Sequence, residues 1–117
     1  MKINLFNQDS AAESFAAGST LFREGDEGRD MFVVLSGSIE IVVRGRMVET
    51  VESGGIFGEM ALVDHRPRIA TAVVKSDAKV VRIDEKRFLF LVQQNPFFSL
   101  QVMAVIAERL RRMDERL

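Results

Sequence analysis

The decisive stretch runs Gly54-Gly55-Ile56-Phe57-Gly58-Glu59-Met60-Ala61-Leu62, then Val63-Asp64-His65-Arg66-Pro67, then Arg68-Ile69-Ala70-Thr71-Ala72. Its three glycines allow tight backbone turns and let a ligand approach main-chain N–H groups with no Cβ in the way. Glu59 to Leu62 suits one short helical turn, whose first N–H groups have no intrahelical partner and attract an anion. Nine residues after Glu59, Arg68 stands where an apolar strand begins. Its planar fork of donors matches phosphate oxygens. A carboxylate, a phosphate-sized nest and a guanidinium together point to a small phosphorylated ligand that also carries a hydroxyl.

Phe57-Gly58-Glu59-Met60-Ala61-Leu62 followed by Pro67-Arg68-Ile69-Ala70-Thr71 resembles the phosphate-binding cassette of the cyclic nucleotide-binding domains. These domains occur in catabolite activators, in regulatory subunits of cAMP-dependent protein kinase and in cyclic-nucleotide-gated channels. Both halves of the motif match with family-like spacing, and the resemblance extends from about residue 13 to 117. It implies a mainly β fold, an eight-stranded antiparallel β-roll of jelly-roll type, with flanking and C-terminal helices. It also implies that Arg68 binds the cyclic phosphate and that Glu59 accepts the ribose 2′-hydroxyl. Phe57, Gly58 and the N–H groups of Met60 and Ala61 would line the phosphate region, with Ile69 and Ala70 beside them.

Each residue has a plainer alternative. An arginine at a strand start is commonly a surface residue, and a glutamate opening a helix is favoured by the dipole alone. The glycines serve turn chemistry whether or not a ligand is present. Ile69 departs from the family pattern, which often has Ser or Thr there to bond the phosphate. Its aliphatic side chain removes that hydrogen bond, worth about 1–3 kcal/mol to a charged acceptor. Since Thr at this position tends to favour cGMP in the family, Ile69 leans the site toward cAMP. Ala70 and Ala72 leave space that a nucleotide requires.

With 117 residues the chain is expected to form a single domain over 1–117, able to bury roughly two-thirds of its unfolded surface. A net charge of -1 gives no electrostatic reason to expect nucleic acid as a partner. No apolar run approaches the ~18 residues of a membrane span, and the N-terminus does not read as a signal peptide. The absence of cysteine excludes a disulfide frame and thiolate metal sites and fits a cytoplasmic setting. The single histidine, His65, is too few for a cupin-like metal centre. There is no nucleophile elbow or paired-carboxylate motif, so the expectation is a non-enzyme with neither cofactor nor metal.

Taken in order, Ile3, Leu5 and Phe6 are candidates to dock on the domain, and Gly18, Gly25 and Gly28 punctuate short strands. The run 30–35 is apolar on both faces, as a buried strand would be. Ser36-Gly37 is expected to form a tight turn before a strand at 39–43, and Arg44-Gly45-Arg46 turns the chain into the next. After the cassette, strands at 70–74 and 79–83 flank Lys75-Ser76-Asp77, a hairpin signal. The β-roll is thus assigned to 13–83, the cassette to 54–72 and C-terminal helices to 84–117. Asp84 is the expected cap of a helix over 85–94. Asn95-Pro96 breaks it and starts the last helix.

On that helix, Met103, Ile106, Leu110, Met113 and Leu117 recur at spacings of 3, 4, 3 and 4, a short heptad seam. The seam serves equally as a core stripe or a homodimer contact, and resemblance to the catabolite activators favours the dimer. Arg109 and Arg112 are lid candidates over the base, with a solvated helix face as the alternative. No helix-turn-helix follows, so the expectation is a small sensor acting in trans or an excised domain. Function is read as regulatory cyclic-nucleotide binding relayed by the last helix. The alternative is a degenerate fold that binds no nucleotide and serves protein interaction or dimerisation.

Overall fold

The structure, a computed structural model, describes residues 11–115, with side chains as far as Met113. The N-terminal docking residues and Leu117 therefore lie outside the described residues. Among the described residues six strands and three helices follow one another: β1 Glu13–Phe15, β2 Thr20–Phe22, β3 Met31–Val43, β4 Arg46–Val51, β5 Ile56–Phe57, α1 Met60–Asp64, β6 Thr71–Ile83, α2 Glu85–Gln94 and α3 Pro96–Glu115. All strand pairing is antiparallel, in the order β1-β6-β3-β4, with β2 on β6 and β5 on β3.

Two expected turns are absent. Ser36-Gly37 does not reverse the chain, and neither does Lys75-Ser76-Asp77; each lies inside a 13-residue strand. β3 and β6 pair along nearly their whole length, and their register slips between Val34 and Ile39. A glycine among polar residues marks a bulge as well as a turn, and here the bulge reading holds. Gly37 has φ +79, and a Cβ there would lie 2.2 Å from the Asp77 carbonyl oxygen. The strands therefore bend together where only glycine fits. Counting each arm of the two bent strands separately recovers the expected eight strands of the β-roll.

β3 feeds two hydrophobic clusters by alternation, whose parity the bulge switches before Ile39. Met31 and Val33 pack with Ile56, Val81, Ile83, Phe98 and Val102 on the helix side. Phe32, Val34 and Ile39 pack with Phe57, Ala72, Val74 and Val80 inside the roll. Ala72 thus belongs to the core and not to a ligand space.

Asp84 caps α2 as expected, its side chain accepting from the Arg87 N–H at 2.7 Å. At the α2–α3 elbow the Asn95 N–H donates to Leu91 O and the Asn95 carbonyl accepts from Phe98 N–H. Phe98, fully buried, fixes the start of α3 on the roll. Burial of such a side chain stabilises by about 1.5–3 kcal/mol.

The heptad seam is re-sorted by this docking. Ile106 packs toward the Phe98 and Val102 cluster, and Met113 borders the cavity described below. Leu100, Met103 and Leu110 are more than half exposed. With Ala107 they form the outward row at the same 3, 4, 3 spacing.

Candidate functional site

A cavity of about 560 Å³ opens between the cassette, the β3–β4 wall and the second half of α3. That is within the usual range for a small-molecule site. The cassette supplies Phe57 to Ala61 and Arg68 to Ala70, the wall supplies Ile41, Val43, Val48 and Glu49, and α3 supplies Arg109, Leu110, Arg112 and Met113. Every residue expected from sequence to touch a ligand or form its lid therefore borders one hollow.

Arg68 is 9% exposed and fixed on three sides. Its Nη1 donates to the Gly58 carbonyl at 3.1 Å and its Nη2 to the Asp30 carbonyl at 2.8 Å. Its guanidinium lies 4.1 Å from the Phe22 ring centroid, a cation–π contact. Gly28 makes room for it, since a Cβ there would come within 2.7 Å of Nε. The main chain is clamped too: Arg68 N–H donates to Asp26 O, and Arg68 O accepts from Gly25 N–H. Burial lowers the Arg68 pKa from the ordinary arginine value, against the opposing charge of Asp30. The buried Nε has no hydrogen-bond partner. An unused donor on a desolvated cation is costly unless an acceptor arrives.

Glu59, 3% exposed, does not stand open to the cavity. Its Oε1 accepts from Arg109 Nη1 in a close ion pair. The same guanidinium donates through Nε and Nη2 to the two oxygens of Glu49 at 3.0 and 2.8 Å, and to the Ile56 carbonyl at 2.6 Å. Burial alone would lower the Arg109 pKa, but its hydrogen bonds to Glu49 and the charge of Glu59 outweigh it and raise it. Arg112 joins the cluster, 3.3 Å from Glu49 and 2.7 Å from Glu108. Arg109 is thus a structural tie between α3 and the roll, and not a free side chain hanging over the opening.

Other expectations resolve individually. The Ala61 N–H is used within its own turn, donating to Gly58 O at 3.3 Å. Ile69 borders the cavity but is 53% exposed, so its side chain does not plug it. His65 ends α1 in a left-handed conformation and sits 3.6 Å from Glu85. Among the described residues no three His, Asp or Glu side chains converge as metal ligands, and no helix is long and apolar enough to cross a membrane.

Sequence reasoning missed Phe22, Asp30 and Glu49. Glu49 looks like an ordinary polar position of an alternating strand, and its partner lies 60 residues away. No local spacing announces such a pair.

Comparison with known proteins agrees with this geometry. Rap guanine nucleotide exchange factor 3 of Rattus norvegicus and that of Homo sapiens are each 36% identical to this chain over 74 residues, covering 62% of it but 8% of their own length. The catabolite activator protein of Thermus thermophilus superposes with a TM-score of 0.81 at 28% identity, over 90% of this chain and 52% of that one. The cAMP-bound structure of PfPKA-R superposes with a TM-score of 0.74 at 25% identity, over 89% of this chain and 34% of that one. This chain therefore spans a small part of the exchange factors and about half of the activator. The family model for the cyclic nucleotide-binding domain matches residues 12–95, which include every strand, the whole cassette and α2. With fold, cassette and family model in agreement, the chain belongs to the cyclic nucleotide-binding domain family.

Proposed function

We propose that this chain is a regulatory sensor that binds a cyclic mononucleotide, cAMP in preference to cGMP, and relays binding through α3. The observation that carries the reading is the buried Arg68 guanidinium, which borders a ligand-sized cavity with its Nε unpartnered. A cyclic phosphate is an anion of the kind that a guanidinium at a cavity wall takes. Preference for cAMP rests on Ile69, which lacks the hydroxyl associated in the family with cGMP. Relay follows because Arg109 reaches from α3 to Glu59. A ribose hydroxyl arriving at Glu59 changes what α3 is tied to, which gives the ligand different affinity for different α3 positions. Coupling of about 1–3 kcal/mol is usual for such switches.

The test is a titration by calorimetry and thermal shift with cAMP, cGMP and a cyclic dinucleotide, on wild type and Ile69→Ser together. Ligand at a hundredfold over Kd stabilises by about 2.7 kcal/mol, a rise on the order of 10 °C for a domain of this size. Ile69→Ser is expected to bind about tenfold more tightly, through one regained charge-assisted hydrogen bond. No shift with any of the three at millimolar concentration overturns the reading.

A second reading keeps the fold without the ligand, as a protein-interaction module. The commitment of the Glu59 carboxylate to Arg109 favours it, and a failed titration selects it.

Self-association through α3 belongs to both readings. The exposed Leu100, Met103 and Leu110, with the half-buried Ala107 between them, have the spacing of a coiled-coil seam. Sedimentation velocity at tens of micromolar is expected to show a dimer, and Leu100→Glu with Met103→Glu a monomer. A monomeric wild type removes the seam from function.

A further inference from the structure

Arg82 lies on β6 directly across from Phe32 of β3, its guanidinium 5.0 Å from that ring. Its Nε and Nη2 donate to the two carboxylate oxygens of Glu13 on β1 at 3.1 and 3.4 Å. Its Nη1 donates to Asp30 Oδ2 at 3.3 Å. Asp30 is also the residue whose carbonyl receives Arg68 Nη2 at 2.8 Å. One residue therefore stands between two arginines, its carbonyl facing one and its carboxylate held by the other.

That arrangement matters because the buried Arg68 Nε has no partner. A carboxylate is a far better acceptor for a guanidinium than a carbonyl. The main chain of Asp30 already touches the Arg68 guanidinium, while its carboxylate is held by Arg82. Arg82 is itself pinned by Glu13 and stacked on Phe32. Charge points the same way: after desolvation, Asp30 is the strongest influence on Arg68, raising its pKa, and Arg82 opposes it.

We propose that Arg82 is a positioning residue for the phosphate site, keeping the Asp30 carboxylate off Arg68 so that the guanidinium stays available to an external anion. This rests on the reading of Arg68 as the phosphate ligand. Arg82 itself touches no ligand, since it does not border the cavity. Without it, the Asp30 carboxylate becomes an internal competitor for the phosphate. The remedy is then to remove the charge of Asp30, and not to rebuild Arg82.

The experiment uses the full chain as wild type, Arg82→Ala, Asp30→Asn and Arg82→Ala with Asp30→Asn. Two readouts are taken: calorimetric Kd for cAMP, and the Arg68 Nε–H resonance in a 15N correlation spectrum without ligand. Arg82→Ala is expected to weaken cAMP binding about tenfold and to move the Nε–H resonance downfield with slower solvent exchange. The double variant is expected to return both to near the values of Asp30→Asn alone, which sets the baseline without the competing charge. An Nε–H resonance unmoved by Arg82→Ala overturns the proposal. So does a weakening that persists in the double variant, because a purely structural role of Arg82 is not rescued by Asp30→Asn. If wild type binds no cAMP while the resonance moves and is rescued, the ligand reading fails and the positioning of Asp30 stands.

Discussion

Arg68→Ala is expected to lower affinity for cAMP by about a hundredfold, and Arg68→Lys by at least tenfold. Charge-assisted hydrogen bonds contribute about 1.5–3 kcal/mol each, and micromolar binding amounts to about 8 kcal/mol in all. The alanine variant loses a buried cation beside the cassette glycine, together with its contacts to Gly58 O, Asp30 O and the Phe22 ring. Lysine restores the charge but cannot satisfy two divergent carbonyls and a phosphate with one compact ammonium. The same contacts support the fold, so thermal unfolding is measured alongside. A folded Arg68→Ala protein with unaltered Kd in calorimetry would remove the guanidinium from the site.

Arg109→Ala has the largest expected effect on stability. It leaves Glu59, almost wholly buried, without its ion-pair partner, while Glu49 retains Arg112. Breaking a buried pair from one side costs about 3–5 kcal/mol. The low end applies here, because removing the Arg109 side chain from the cavity wall opens the orphaned carboxylate to water. About 3 kcal/mol corresponds to a fall in Tm on the order of 10 °C for a domain of this length. Adding Glu59→Gln to Arg109→Ala removes the uncompensated charge and is expected to recover at least half of the loss. A Tm for Arg109→Ala within 2 °C or so of wild type, small against that fall, would show that α3 is held by its apolar face alone.

These two arginines mark how far the sequence could be read. Arg68 announced itself because cassette and strand start lie close together in the chain, and its neighbours Gly58 and Glu59 carry a recognisable order. The helices were equally legible: Asp84, Asn95 and Pro96 are local signals that act where they stand. The strand count was obscured because Gly37 and Asp77 look like turn residues, and only the pairing of β3 with β6 shows that they form one shared bend. Arg109 reads as a lid candidate but not as a tie, since Glu49 reaches it from a strand 60 residues earlier and Glu59 from the turn before α1, 50 residues earlier. Asp30 and Phe22 escaped for the same reason. Their roles arise from a main-chain carbonyl and a ring face, neither of which leaves a pattern in the order of residues.

The docking of α3 has a mechanical consequence. Phe98 is sunk in the roll at one end of the helix, and Arg109 is bonded at a point eleven residues along. At 1.5 Å per residue the separation is about 16 Å. On the proposed relay, a pivot at Phe98 would sweep the backbone at Arg109 through about 0.3 Å per degree, so a tilt of about 5° would stretch its bonds to both carboxylates. If α3 moves as proposed, a small tilt near Phe98 is magnified at the carboxylates that Arg109 holds, so the tie is the point at which such movement would be felt.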